Sequence, residues 1–165
     1  MVFGTYPEGG GVDHERHMRR AIEIARGNPD APFGCVIVDG ETGRILAEGL
    51  NDAEKSPILH GETAAVMNLF DARPDVDTSN LVLYTTAEPC PMCSGAILWS
   101  GIPRVVLGTR LETLRGLGRP VIDLPCEEVS RWASFGGFGV IHGVLEGECD
   151  ALFEEMARRT NGRFS

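Results

Sequence analysis

Residues 80–86, Asn80-Leu81-Val82-Leu83-Tyr84-Thr85-Thr86, pass through Ala87-Glu88-Pro89 into Cys90-Pro91-Met92-Cys93 and on through Ser94-Gly95-Ala96-Ile97-Leu98-Trp99-Ser100. The first seven form a nearly continuous apolar run, the pattern of a strand at the centre of a sheet. Pro91 then falls where the first turn of a helix tolerates a missing N–H, so a helix is expected over Pro91–Ser100. Cys90 and Cys93 therefore stand where a strand ends and a helix begins. Unpaired N–H groups and the helix dipole lower thiol pKa values at such a place, and thiolates are ready metal ligands.

The same grammar extends in both directions. Upstream, Met18, Ala21, Ile22 and Ala25 recur at helical spacing within residues 13–26, and Asn28-Pro29-Asp30 with Pro32 stops that helix. Two short runs, Gly34–Asp39 and Arg44–Leu50, flank Gly40-Glu41-Thr42-Gly43 and read as a hairpin. Gly61–Ala72 reads as a second helix, with Ala64, Ala65, Met67 and Leu69 available for a buried face. Downstream, strands are expected over Arg104–Thr109 and Gly139–Leu145. The segment Pro125–Trp132 between them is long enough for a crossover helix, which lets those strands run parallel. Residues 148–159 carry acids first and bases last, the order that complements a helix dipole, and Asn161-Gly162 ends them. Five strands and five helices in this order make an α/β three-layer sandwich, a five-stranded mixed sheet with helices on both faces.

A length of 165 residues is that of one domain, residues 1–165, and 42% hydrophobic with 24% charged residues is ordinary globular composition. The net charge is 15 − 24 = −9. That balance weighs against a partner bound through phosphates, so nucleic acid is not expected. No run reaches the roughly 18 apolar residues of a membrane span, and residues 1–17 lack a secretory apolar core, so no membrane and a cytoplasmic setting are expected. The odd number of cysteines, Cys35, Cys90, Cys93, Cys126 and Cys149, argues against a disulfide framework.

Thirty positions before Cys90, at the start of the other expected helix, stands Leu59-His60-Gly61-Glu62. His60 with Cys90 and Cys93 gives three ligands, the number expected of a catalytic zinc that keeps its fourth position for water. Glu62, near the metal but not needed as a ligand, is placed to move protons. A Cys-x-x-Cys alone also fits a structural zinc half-site or a redox pair, but redox chemistry requires no His-x-Glu. A structural site would need a fourth protein ligand; Cys126, after Pro125, is the candidate, while Cys35 and Cys149 read as small core or surface residues. His14 and His17 are read as part of the solvated face of the first helix, Arg16, Arg19 and Arg20 likewise, and His142 as a structural residue of the last strand.

His-x-Glu paired with Pro-Cys-x-x-Cys is the signature of zinc-dependent base deaminases. Residues 13–109 resemble the cytidine-deaminase-like superfamily, within the branch of tRNA adenosine deaminases, bacterial guanine deaminases and fungal-type cytosine deaminases. The resemblance rests on Pro32-Phe33-Gly34, Asn51, His60-Gly61-Glu62, the block Leu83–Ile97 and Gly101-Ile102-Pro103-Arg104-Val105-Val106. It implies that His60, Cys90 and Cys93 hold Zn2+, that Glu62 is catalytic, that Asn51 bonds the substrate's polar edge, that Phe33 walls the ring and that the Gly61 N–H orients water or a carbonyl. It implies hydrolytic deamination of a free nucleobase or related amino-heterocycle, of the guanine or cytosine class, by a homodimer. A tRNA adenosine deaminase and a non-catalytic zinc protein are the alternatives. Leu59–Glu62 is most like fungal cytosine deaminase, and Glu88 most like guanine and tRNA adenosine deaminases. Phe135-Gly136-Gly137-Phe138 and the tail Asn161–Ser165 are candidates for a segment that closes over the pocket.

Overall fold

The structure, a computed structural model, describes residues 12–160. The chain runs α1 (His14–Ala25), β1 (Gly34–Asp39), β2 (Ile45–Leu50), α2 (Gly61–Ala72), β3 (Leu81–Ala87), α3 (Pro91–Ser100), β4 (Arg104–Thr109), α4 (Leu111–Gly116), α5 (Cys126–Arg131), β5 (Gly139–Ile141) and α6 (Glu146–Thr160). The strands lie in the order β2-β1-β3-β4-β5. β1 pairs antiparallel with β2 and β3, whereas β4 pairs parallel with β3 and β5. This is the expected mixed sheet, with the last two strands parallel.

Alternation along the central strands divides the core into two faces. Cys35, Ile37, Leu81, Leu83, Val105 and Leu107 meet Ala65 and Leu69 of α2, Ile97 of α3 and Cys126 of α5. Val36, Val38, Val82, Tyr84 and Val106 meet Met18, Ala21 and Ile22 of α1 and Cys149 of α6. Helices therefore cover both faces. α1 starts at Asp13, whose carboxylate accepts the Arg16 N–H at 3.0 Å, a side-chain cap on an otherwise orphan donor. The β2 edge is covered from α2: Asn68 Nδ2 donates to the Glu48 carbonyl and Arg73 Nη1 to the Leu46 carbonyl, both at 2.8 Å. No helix among the described residues is long and apolar enough to cross a membrane.

Two glycines fix how closely α2 lies on the sheet. A Cβ at Gly49 of β2 would stand 2.1 Å from the Gly61 carbonyl oxygen, and a Cβ at Gly61 would stand 2.5 Å from the Phe33 carbonyl oxygen. Any larger residue at either position must push the first turn of α2 off the sheet.

Several expectations are corrected. α4 is a sixth helix that the sequence pattern did not show, because six residues are too few to display a helical period. β5 ends at Ile141 and does not reach Leu145, since Gly143 (φ 76) and Leu145 (φ 52) turn the chain into α6. His142 therefore lies just past the strand, 3.1 Å from Glu127. His17 does not face solvent, and His14 is only partly exposed. His17 is buried against the Tyr84 ring at 5.2 Å between centroids, and His14 Nδ1 is 2.8 Å from the Tyr84 hydroxyl. Both imidazoles cover the one aromatic ring at the centre of β3. The end of the last helix at Asn161-Gly162 and the tail lie outside the described residues.

Burial is the main cause that lowers the pKa of both His17 and His14. A histidine whose folded pKa lies below its unfolded value of about 6.5 gives stability that is present above that value and lost as pH falls through the folded one. The urea midpoint should therefore drop between pH 7.5 and 5.5, and His17→Gln should shrink the drop. An equal drop in the variant would show that His17 does not cause it.

Candidate metal centre

α2 and α3 begin side by side, and each begins at a ligand. His60 is the N-cap residue of α2 and Cys90 that of α3, with Pro91 opening the helix as its sequence requires. Cys93, one turn in, is fully buried. His60 Nδ1 lies 3.6 Å from Cys90 Sγ and 3.5 Å from Cys93 Sγ, and the two sulfurs are 3.5 Å apart. Tetrahedral zinc, with bonds of about 2.3 Å to sulfur and 2.0–2.1 Å to nitrogen, sets its ligands roughly 3.5–3.8 Å apart, so the donor set fits in kind and spacing. Among the described residues the cluster comprises these three. Cys126 stays outside it, buried beneath α5 in the core, so it does not supply a fourth ligand.

The electrostatics follow from the packing. The Cys93 thiol directed at Cys90 is the main cause that draws the Cys90 pKa down to about 4, with His60 contributing, while Cys93 is pushed well up. Cys90 in turn raises His60. Glu62, in the first turn of α2, is 3% exposed, and burial raises its pKa above the ordinary carboxylate range against the opposing hydrogen bonds. Cys35, beneath it, is also pushed up by burial and then by Glu62, which suits an inert core thiol.

Glu62 has a side-chain partner in the central strand that no sequence motif announces. Thr85 Oγ1 lies 2.9 Å from Glu62 Oε1 and 3.1 Å from the Ala87 carbonyl oxygen. Its single proton serves one acceptor at a time. An ionised Glu62 takes that proton as a hydrogen bond; a protonated Glu62 can donate to Thr85, whose own proton then turns to Ala87. The neighbouring Thr86 faces the other way, donating to the Pro32 carbonyl at 2.9 Å and accepting the Gly34 N–H at 3.1 Å. Two threonines in an otherwise apolar strand are the available signal.

His60 opens onto a hollow of about 840 Å³ whose lining includes Asn28, Asp30, Asn51, Asp52, Glu54 and Arg119. Asn51 is buried at the end of β2; its N–H donates to the Phe33 carbonyl at 3.1 Å and its carbonyl accepts from Asn28 Nδ2 at 3.0 Å. Phe33 packs on Phe153, with ring centroids 4.9 Å apart, and the Arg119 guanidinium lies over its ring at 4.9 Å. Gly61 opens α2, where the first amides have no partner within the helix. Arg119 had no motif to announce it. Phe135 does not reach this hollow: it stacks on Trp99 at 4.5 Å, at the opposite end of α3 from Cys90, and Phe138 is buried in the core.

The chain matches the cytidine and deoxycytidylate deaminase zinc-binding region over residues 12–109. It is 41% identical over 101 residues to a probable cytosine deaminase of Schizosaccharomyces pombe, covering 59% of this chain and 61% of that one. The chain thus spans about three fifths of the length of that relative. It is 38% identical over 155 residues to a tRNA-specific adenosine deaminase of Haemophilus influenzae, covering 91% of this chain and 82% of that protein. In three dimensions it is similar to a single-substitution mutant of NE0047 in complex with 8-azaguanine, with a TM-score of 0.79, 26% identity, and 89% and 87% of the two chains covered. The chain belongs to the zinc-binding family of cytidine and deoxycytidylate deaminases, and its cofactor is zinc.

Thr85→Val keeps the shape of the side chain and removes only the hydroxyl. Zinc content should be unchanged, while turnover falls on the order of tenfold, the worth of a hydrogen bond to a buried charge. Steady-state kinetics on the same zinc-loaded preparations decide this, and unchanged turnover would separate Thr85 from the proton-moving role expected of Glu62.

Proposed function

We propose that the chain, as one domain, is a zinc-dependent hydrolytic deaminase of a free nucleobase or related amino-heterocycle, of the guanine or cytosine class. The observation that carries the reading is the meeting of His60, Cys90 and Cys93 with the buried carboxylate of Glu62 beside one hollow. The cytosine deaminase relative and the neighbour bound to 8-azaguanine support the substrate class. A homodimer and a cytoplasmic setting belong to the same reading.

His60, Cys90 and Cys93 would hold zinc, which supplies a bound water whose pKa is lowered from 15.7 to about 7. Glu62 takes a proton from the attacking water and delivers it to the ring nitrogen next to the carbon that bears the amine. It later takes the remaining proton of the newly added hydroxyl group and hands it to that amine. The carbon–nitrogen bond breaks, ammonia leaves, and the ring keeps an oxo group in its place. Burial favours this work, since it raises the pKa of the Glu62 carboxyl and so makes it a stronger base than a carboxylate in water. Asn51, beside His60, bonds the substrate's polar edge, and Phe33 walls its ring.

A tRNA adenosine deaminase is the second reading, favoured by the long match to the Haemophilus influenzae protein. The charges weigh against it. Asp30, Asp52 and Glu54 line the hollow, and Arg19 and Arg20 are held by Glu15, Glu23 and Glu48. Phosphates approaching the hollow would meet carboxylates, and binding a polyanion needs a surplus of cations.

Ammonia release should be measured from zinc-loaded protein with cytosine, guanine, adenine, their nucleosides, aminopterins, aminotriazines and an adenosine-containing tRNA anticodon stem. One free base should turn over. Glu62→Ala should keep zinc and fold yet lose about 10²-fold or more of the rate, whereas Cys93→Ala should lose the metal. Turnover of the RNA alone would replace this reading with the second, and full activity in Glu62→Ala would remove the carboxylate from the chemistry.

A further inference from the structure

Glu88 lies two residues before Cys90, at the end of β3, and its carboxylate reaches away from the metal donors. Oε2 accepts the Leu111 N–H at 2.9 Å and Oε1 accepts the Cys126 N–H at 3.0 Å. Leu111 opens α4 and Cys126 opens α5. Neither helix has a side-chain cap from its own N-cap residue, Arg110 or Pro125. One distant carboxylate therefore caps both, supplying a charged acceptor to donors that helix geometry leaves orphaned.

These two amides are also the two ends of one stretch of chain. Pinned to the two oxygens of a single carboxyl group, residues 111–126 close on themselves as a compact loop. The Arg115–Asp123 ion pair at 2.8 Å lies within it. Leu114, Leu117 and Val121 seat it on Ala87, Phe153 and Met156, in the cluster that also includes Phe33. Its far side carries Arg119 over the Phe33 ring and into the lining of the hollow that His60 and Asn51 share.

We propose that Glu88 is a positioning residue whose one carboxylate fastens the 111–126 loop to the cysteine turn and so sets Arg119, braced on the Phe33 ring, in the wall of the hollow that a substrate meets. This rests on the deaminase reading. The backbone of Glu88 strengthens the link, because its N–H donates to the Thr109 carbonyl at 2.8 Å and holds the turn against the end of β4. The loop differs in kind from a lid: it is tied at its base, and its position relative to Cys90 is fixed through only two residues of chain.

The test compares full-length, zinc-loaded wild type with Glu88→Gln and Glu88→Ala. Glu88→Gln keeps one acceptor oxygen and turns the other into a donor facing a donor; Glu88→Ala removes both. Amide hydrogen exchange at Leu111 and Cys126 should be slow in the wild type. It should speed up about tenfold or more at one of the two in Glu88→Gln and at both in Glu88→Ala, as the loss of a hydrogen bond to a charge requires. With the base that the wild type turns over, KM should rise about tenfold while kcat stays within about threefold and zinc content is unchanged, because the wall is displaced and the metal turn is not. Unchanged exchange in Glu88→Ala, or a fall in kcat or zinc content with KM unchanged, would overturn the proposal. If Glu88→Ala fails to fold, Glu88→Gln decides alone. If the wild type turns over no base, the free-base reading fails, and the exchange result still decides whether Glu88 fastens the loop.

Discussion

The close seating of α2 on the sheet is the constraint from which the site descends. With only 2.1 Å between the Gly61 carbonyl oxygen and the place a Cβ would take at Gly49, α2 can approach β2 as no helix with ordinary side chains at the crossing could. Its first turn is thereby brought level with that of α3, which follows β3 through a short turn. Side chains at the two helix starts then converge whatever the rest of the helices do. Close packing of this kind transmits displacement, because interiors have no slack to absorb it.

Each functional group uses a different consequence of that convergence. Helix starts offer amides and positive dipole ends, which suits the thiolate state of Cys90. Glu62 enters the same space from the first turn of α2 but points into the sheet, where Thr85 of the central strand is its neighbour. His60 and Cys90 stand at half-buried helix starts rich in fixed dipoles, whereas Cys93 and Glu62 lie where almost no solvent reaches. A hydrolytic centre needs both, since a metal must be held by charged ligands while a proton carrier works best with a pKa near the working pH. The hollow adds a third environment, acidic along Asp30, Asp52 and Glu54 and cationic at Arg119.

Much of this was legible in the sequence. The strands showed because β1, β3 and β4 are buried on both faces and so read as unbroken apolar runs. His60, Cys90 and Cys93 showed because two rare residue types recur at two helix starts, a local pattern. What failed to show was long-range or short. Arg119 reaches the hollow only because the loop folds back beneath it, and no local pattern encodes that return. The covering of Tyr84 by His14 and His17 does not show because charged neighbours at Glu15, Arg16 and Arg19 give that part of α1 the pattern of a solvated surface; imidazoles are half apolar, and here they pack as rings. β5 reads longer than it is because Val144 and Leu145 continue an apolar run while the backbone has already turned at Gly143.

The stacked pair at the far end of α3 bears on spectroscopy. The chain has two tryptophans, and both stand in water: Trp99 is 79% exposed on top of Phe135, and Trp132 is 84% exposed at the end of α5. Indole emission in the native protein is therefore already that of a solvated fluorophore and shifts little when the core melts. Circular dichroism, which follows the helices on both sides of the sheet, will report unfolding that intrinsic fluorescence passes over.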